Sequence, residues 1–133
     1  MNRLLLTNVL SRWWIPALIY GIILAGSSVP GKKIPYVFQL TPDKMIHFIE
    51  YFVFSFFLAR VLVTIPRLTR RQIIWICGAM AMGAALVDES YQSLIPGRHP
   101  DYRDWLIDVA GGLAGAGVLL FWWRKLKREN LSR

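Results

Sequence analysis

Four apolar stretches separated by short polar joints organise this chain, at about residues 13–29, 45–63, 73–95 and 105–123. At 1.5 Å rise per residue the first two extend roughly 25 and 29 Å, close to the thickness of a bilayer's hydrocarbon core. The pattern predicts an all-α, polytopic membrane protein, with four transmembrane helices forming one domain over residues 1–133. Pro30 and Pro66 follow the first two stretches as terminators. Pro16 falls in the first helical turn, where a missing N–H is tolerated.

Polar residues within the stretches follow the helical period. At 100° per residue, Asp43, His47 and Glu50 lie within about 60° of one another, and Tyr51 and Phe54 extend that stripe. On the third segment Cys77, Ala81, Ala84 and Asp88 share a face that Gln92 continues. On the fourth, Asp104, Asp108, Gly111 and Gly115 do the same, and the two glycines form a GxxxG step that permits close helix packing. A carboxylate on a spanning helix is expensive against lipid, so these faces are expected to turn inward and meet.

Composition and charge add an orientation. Hydrophobic residues make up 55% of the 133, with six Trp, which is too apolar for an ordinary soluble domain. The net charge of +8 comes from Lys and Arg that mostly flank apolar runs, not from a basic stripe with interleaved aromatics, so no nucleic-acid partner is expected. Four spans place eleven basic residues on one side (Arg3, Arg12, Arg60, Arg67, Arg70, Arg71, Arg124, Lys125, Lys127, Arg128, Arg133) and five on the other (Lys32, Lys33, Lys44, Arg98, Arg103). The positive-inside rule then puts both termini in the cytoplasm. Trp13, Trp14, Trp75, Trp122 and Trp123 fall at inner helix ends and Trp105 at an outer one, as interfacial anchors do. The tail from Trp122 to Asn130 reads as a basic anchor to anionic lipid. Residues 1–29 also carry features of a signal peptide, but the run is long for one and contains Pro16 and Tyr20. The single cysteine, Cys77, rules out an intrachain disulfide or a CxxC pair.

Three blocks then carry a resemblance: "DKMIHFIEYF" from Asp43, "DESYQSLIPGR" from Asp88, and Asp104 followed by "DVAGGLAG" from Asp108. Together they resemble the VanZ-like family of small bacterial membrane proteins. Its pattern has D-K-x-x-H, then D-E-x-x-Q leading to P-G-R, then D-x-x-x-N-x-x-G-x-x-x-G. This chain departs from it at Asp108, where the pattern has Asn, and so gains an ionisable group. The resemblance implies a multi-pass protein of the bacterial cytoplasmic (inner) membrane and a cell-envelope role. It also implies a link to glycopeptide (teicoplanin) resistance, from which the family takes its name.

The side chains suggest the chemistry. Arg98, in a Pro96-Gly97-Arg98 turn, offers a planar fork suited to phosphate or carboxylate, and equally fits an ion pair with Asp88, Asp101 or Asp104. His47, Asp88 and Asp43 are the candidates for moving protons, with His47 also fitting a structural imidazole bonded to Asp43 or Asp88. Arg98, Gln92, Glu89, Asp104, Asp108 and Glu50 are the candidates for holding a substrate. His99 reads as a solvated loop residue. The oxygen-rich set with one imidazole allows a divalent cation without requiring one, and no HExxH spacing supports zinc. Two functions stay open: binding or modification of an anionic, lipid-linked envelope molecule such as a cell-wall precursor, or a non-catalytic structural or carrier role that holds a lipid headgroup or a glycopeptide. The sequence leaves enzyme status undecided between them.

Overall fold

A computed structural model describes residues 12–30, 43–98 and 101–131, with side chains to Trp123. Lys32, Lys33, His99 and the side chains of the basic tail beyond Trp123 lie outside the described residues. The described chain is helical: α1 (Trp14–Ser27), α2 (Asp43–Leu62), α3 (Arg70–Gln92) and α4 (Tyr102–Leu131). Three segments are long and apolar enough to cross a membrane: Asp43–Leu62, Arg70–Gln92 and Tyr102–Trp123. Helix α1 is apolar but has 14 residues, which at 1.5 Å each reach only about 21 Å. It ends before Pro30 in a turn where the Ser28 and Val29 N–H groups bond the Leu24 and Gly26 carbonyls at 3.0 and 3.1 Å.

Local chemistry sets the other ends. Helix α3 starts at Arg70 because Thr69 forms a capping box: its hydroxyl accepts from the Gln72 N–H at 3.3 Å, and the Gln72 side chain accepts from the Thr69 N–H at 2.9 Å. The apolar pattern starts at Ile73 and misses this first turn. At the far end Ile95 belongs to a turn, not to the helix. The Arg98 N–H bonds the Ile95 carbonyl at 3.1 Å, with Pro96 and then Gly97 between them. The Gly97 φ of 77° is what a type II turn requires at its third position. Asp101 caps α4, its carboxylate accepting from the Arg103 N–H at 2.9 Å.

The closest packing joins α2 to α4. A Cβ added at Gly111 would run into the Phe48 carbonyl oxygen, and one at Gly115 into that of Phe52, so the two backbones meet one turn apart on both helices. Gly112 faces Ala81 of α3 and Ser55 of α2, which brings the third helix in at the same level. Tyr51, Phe54, Leu58, Cys77, Ala81, Ala85, Ala116 and Leu119 fill the centre. The outside is apolar as well: Trp14, Ile22, Trp75, Leu86 and Phe121 are all at least 60% exposed. An exterior as apolar as the core suits a lipid surround.

Candidate functional site

The last turns of α1 and α3 and the first turns of α2 and α4 share one end of the bundle. Gln92 donates to the Ser27 hydroxyl at 3.1 Å. Lys44 donates to Asp104 at 2.7 Å and lies 3.5 Å from Asp101. The helical faces that the sequence marks as polar turn inward here. Asp88 and Asp108 are fully buried, and His47, Glu89, Gln92 and Asp104 are each under a tenth exposed.

His47 from α2 and Asp108 from α4 form the centre, with Nδ1 and Oδ1 3.0 Å apart and both side chains buried. Asp108 is therefore the partner of His47, in place of the Asp43 or Asp88 expected from the sequence. Position 43 opens its helix and is exposed. Asp88 instead accepts from Gln92, one turn along α3, at 3.1 Å. Glu89 accepts the Asp101 backbone N–H at 3.1 Å, which ties α3 to the start of α4. Glu50 is half-buried, lies within electrostatic reach of His47, Asp88, Asp108 and Arg98, and points its carboxylate toward Gly26. At the mouth, the Arg103 N–H and the nearby Lys44 hold the exposed Asp101 carboxyl below its ordinary range.

Arg98 occupies a different position from the one its sequence context suggests. Its Nε and Nη2 donate to the Val29 and Gly26 carbonyls, each at 3.2 Å. It thus secures the last turn of α1, where a cation meets the negative end of the helix dipole. The ion pairs among the described residues are Lys44–Asp101, Lys44–Asp104 and His47–Asp108, so Arg98 joins no carboxylate there. Two of its five N–H groups are used.

Lys44 and Ser27 join the cluster without being marked as site residues in the sequence, while Asp101, considered there only as a partner for Arg98, and Tyr51, considered only as part of the stripe, also belong to it. Lys44 could have been found, because it sits three residues before His47 and seven before Tyr51, on one helical face. Among the described residues, five buried polar atoms have no hydrogen-bond partner: Tyr51 Oη, Ser55 Oγ, Asp88 Oδ1, Glu89 Oε1 and Asp108 Oδ2. Among the same residues, two sets of side chains bring one donor atom each to within 4.8 Å of one another, as a metal site would need: His47, Glu89 and Asp108, and Asp43, His47 and Asp104. Chemically, the arrangement offers acids that can hold or pass protons, an imidazole between them, and a lysine at the mouth.

Comparison with known protein families gives a match. The family model described as VanZ/LLP1 covers residues 4–124, a range that includes α1 and all three polar blocks. No curated protein and no solved structure matches the chain.

Proposed function

The chain belongs to the VanZ/LLP1 family, and on that premise we propose a four-span protein of the bacterial cytoplasmic membrane that binds or modifies an anionic, lipid-linked envelope molecule. Both termini lie in the cytoplasm, and the polar cluster opens toward the outer leaflet. One observation carries the reading: ionisable side chains from α2, α3 and α4 are buried together at one end of a bundle whose exterior is apolar. Burying so many charges opposes stability unless they are paired, and such clusters mark functional sites more often than scaffolds.

Each group then has a role. Arg98 stays anchored to α1 while its three remaining N–H groups meet an anionic headgroup. Lys44 adds positive charge at the mouth, and Gln92 and Glu89 position the polar part of the ligand. His47, poised against Asp108, moves a proton if the molecule is chemically modified. Asp88 and Asp43 are the alternative proton carriers.

Lipid extracts and teicoplanin susceptibility, compared between cells with and without the protein at matched membrane abundance, test the reading. Arg98→Ala is expected to abolish the difference. Arg98→Lys should weaken it strongly, because it keeps the charge but loses the fork. His47→Gln should keep binding and stop turnover, and full function in that variant would leave either binding alone or proton transfer by the carboxylates. An Arg98→Ala protein that works normally would remove anion recognition by that side chain. Reporter fusions should place residue 33 outside and the 64–69 link inside, and the reverse result would overturn the orientation.

A further inference from the structure

We infer that His47, Glu89 and Asp108 bind a divalent cation, with one ligand each from α2, α3 and α4. The donor atoms of the three lie within 4.8 Å of one another, and all three side chains are buried. His47 Nδ1 and Asp108 Oδ1 are 3.0 Å apart, which is about the separation of adjacent ligands each held roughly 2.1 Å from one ion. Glu89 and Asp108 each keep one buried oxygen, Oε1 and Oδ2, without a hydrogen-bond partner. Buried carboxylate oxygens are seldom left unpaired, and an ion supplies the missing partner.

Charge points the same way. Lys44 answers Asp104 and Asp101, and Arg98 bonds the carbonyls of α1 and pairs with no carboxylate among the described residues. Glu89, bonded to the Asp101 N–H, and Asp108, bonded to His47, then have no lysine or arginine paired with them among the described residues. With the imidazole neutral, two carboxylates balance a 2+ ion in a site that excludes water. The second of those charges comes from the residue at which this chain departs from the Asn of the family pattern. The competing set of Asp43, His47 and Asp104 is less suited, because Asp43 is exposed and Asp104 is held by Lys44. A mixed imidazole and carboxylate shell suits Mn2+ and similar ions. Binding of the ion does not depend on the lipid reading. If that reading also holds, the ion gives an acid-lined site the positive charge an anionic headgroup needs.

The test uses the full chain in lipid nanodiscs, stripped with chelator and titrated with Mn2+ followed by electron paramagnetic resonance. About one ion per chain is expected, with nitrogen modulation from the imidazole that His47→Gln removes. Glu89→Gln and Asp108→Asn should each weaken binding at least about tenfold, while Asp43→Asn stays within about twofold of wild type. The nitrogen signal of the unaltered protein answers the question even if a variant fails to fold. Three results would overturn the proposal: no tight binding by wild type, wild-type affinity in both Glu89→Gln and Asp108→Asn, or loss in Asp43→Asn with Glu89→Gln intact. Lipid profiles are read separately, so failure of ion binding is distinguishable from failure of the lipid reading.

Discussion

Asp88 shows how finely the buried polar groups are balanced. One of its oxygens accepts from Gln92, and the other has no partner although the side chain is fully buried. Gln92→Leu would strip the remaining bond from the carboxylate and is expected to destabilise the fold by about 1–2 kcal/mol. The double variant Asp88→Leu/Gln92→Leu should recover much of that loss, because an apolar pair leaves no stranded acceptor. Unfolding in mixed micelles, with all variants in one double-mutant cycle, measures both. An additive double variant would show that the two side chains act independently. At this scale the sequence was informative about which residues turn inward, because a lone carboxylate in an apolar run has few tolerable places. It was silent about partners. The His47–Asp108 and Lys44–Asp104 pairs span 61 and 60 residues, and helical phase on one segment says nothing about which turn of another lies opposite. Lys44 was passed over because a lysine at a helix end also reads as a snorkelling interfacial residue.

At the scale of the helices, the glycines of α4 set the geometry. Gly111 and Gly115 let the α2 and α4 backbones touch at Phe48 and Phe52, so even a methyl group there has no room. Gly115→Ala should cost about 1–3 kcal/mol or prevent folding, as overpacking does. Gly117→Ala, two residues on with nothing within 4 Å of the added carbon, should be neutral or mildly stabilising. Thermal melts of the two variants check this, and equal melting temperatures would refute it. The GxxxG step and the apolar runs made these helices legible. The helix ends were less so: the Thr69 cap and the Ile95–Arg98 turn depend on side-chain and backbone bonds that an apolar run does not encode. The short first helix was also hidden, because Val29 extends its apolar run yet lies in the turn that follows the helix.

For the whole molecule, the decisive feature is a buried polar cluster at one end of a bundle whose core and exterior are otherwise apolar. Composition and helical period carried the apolar exterior and the inward polar faces from the sequence, while the depth of the polar cluster required the assembled bundle. The cluster also has a history during synthesis. His47 leaves the ribosome about sixty residues ahead of Asp108, so while α2 and α3 are being delivered to the bilayer their acids and imidazole have no companion from α4. Each buried carboxylate then opposes insertion by up to about 3 kcal/mol at mid-membrane depth, less near the interface. A chain stopped after residue 100 should accordingly be held at the insertion machinery or degraded, which pulse-chase labelling of the truncated and complete chains measures; equal lifetimes would contradict it. On that expectation the last helix would act as a release signal, the earlier helices settling in the membrane once Asp108 arrives.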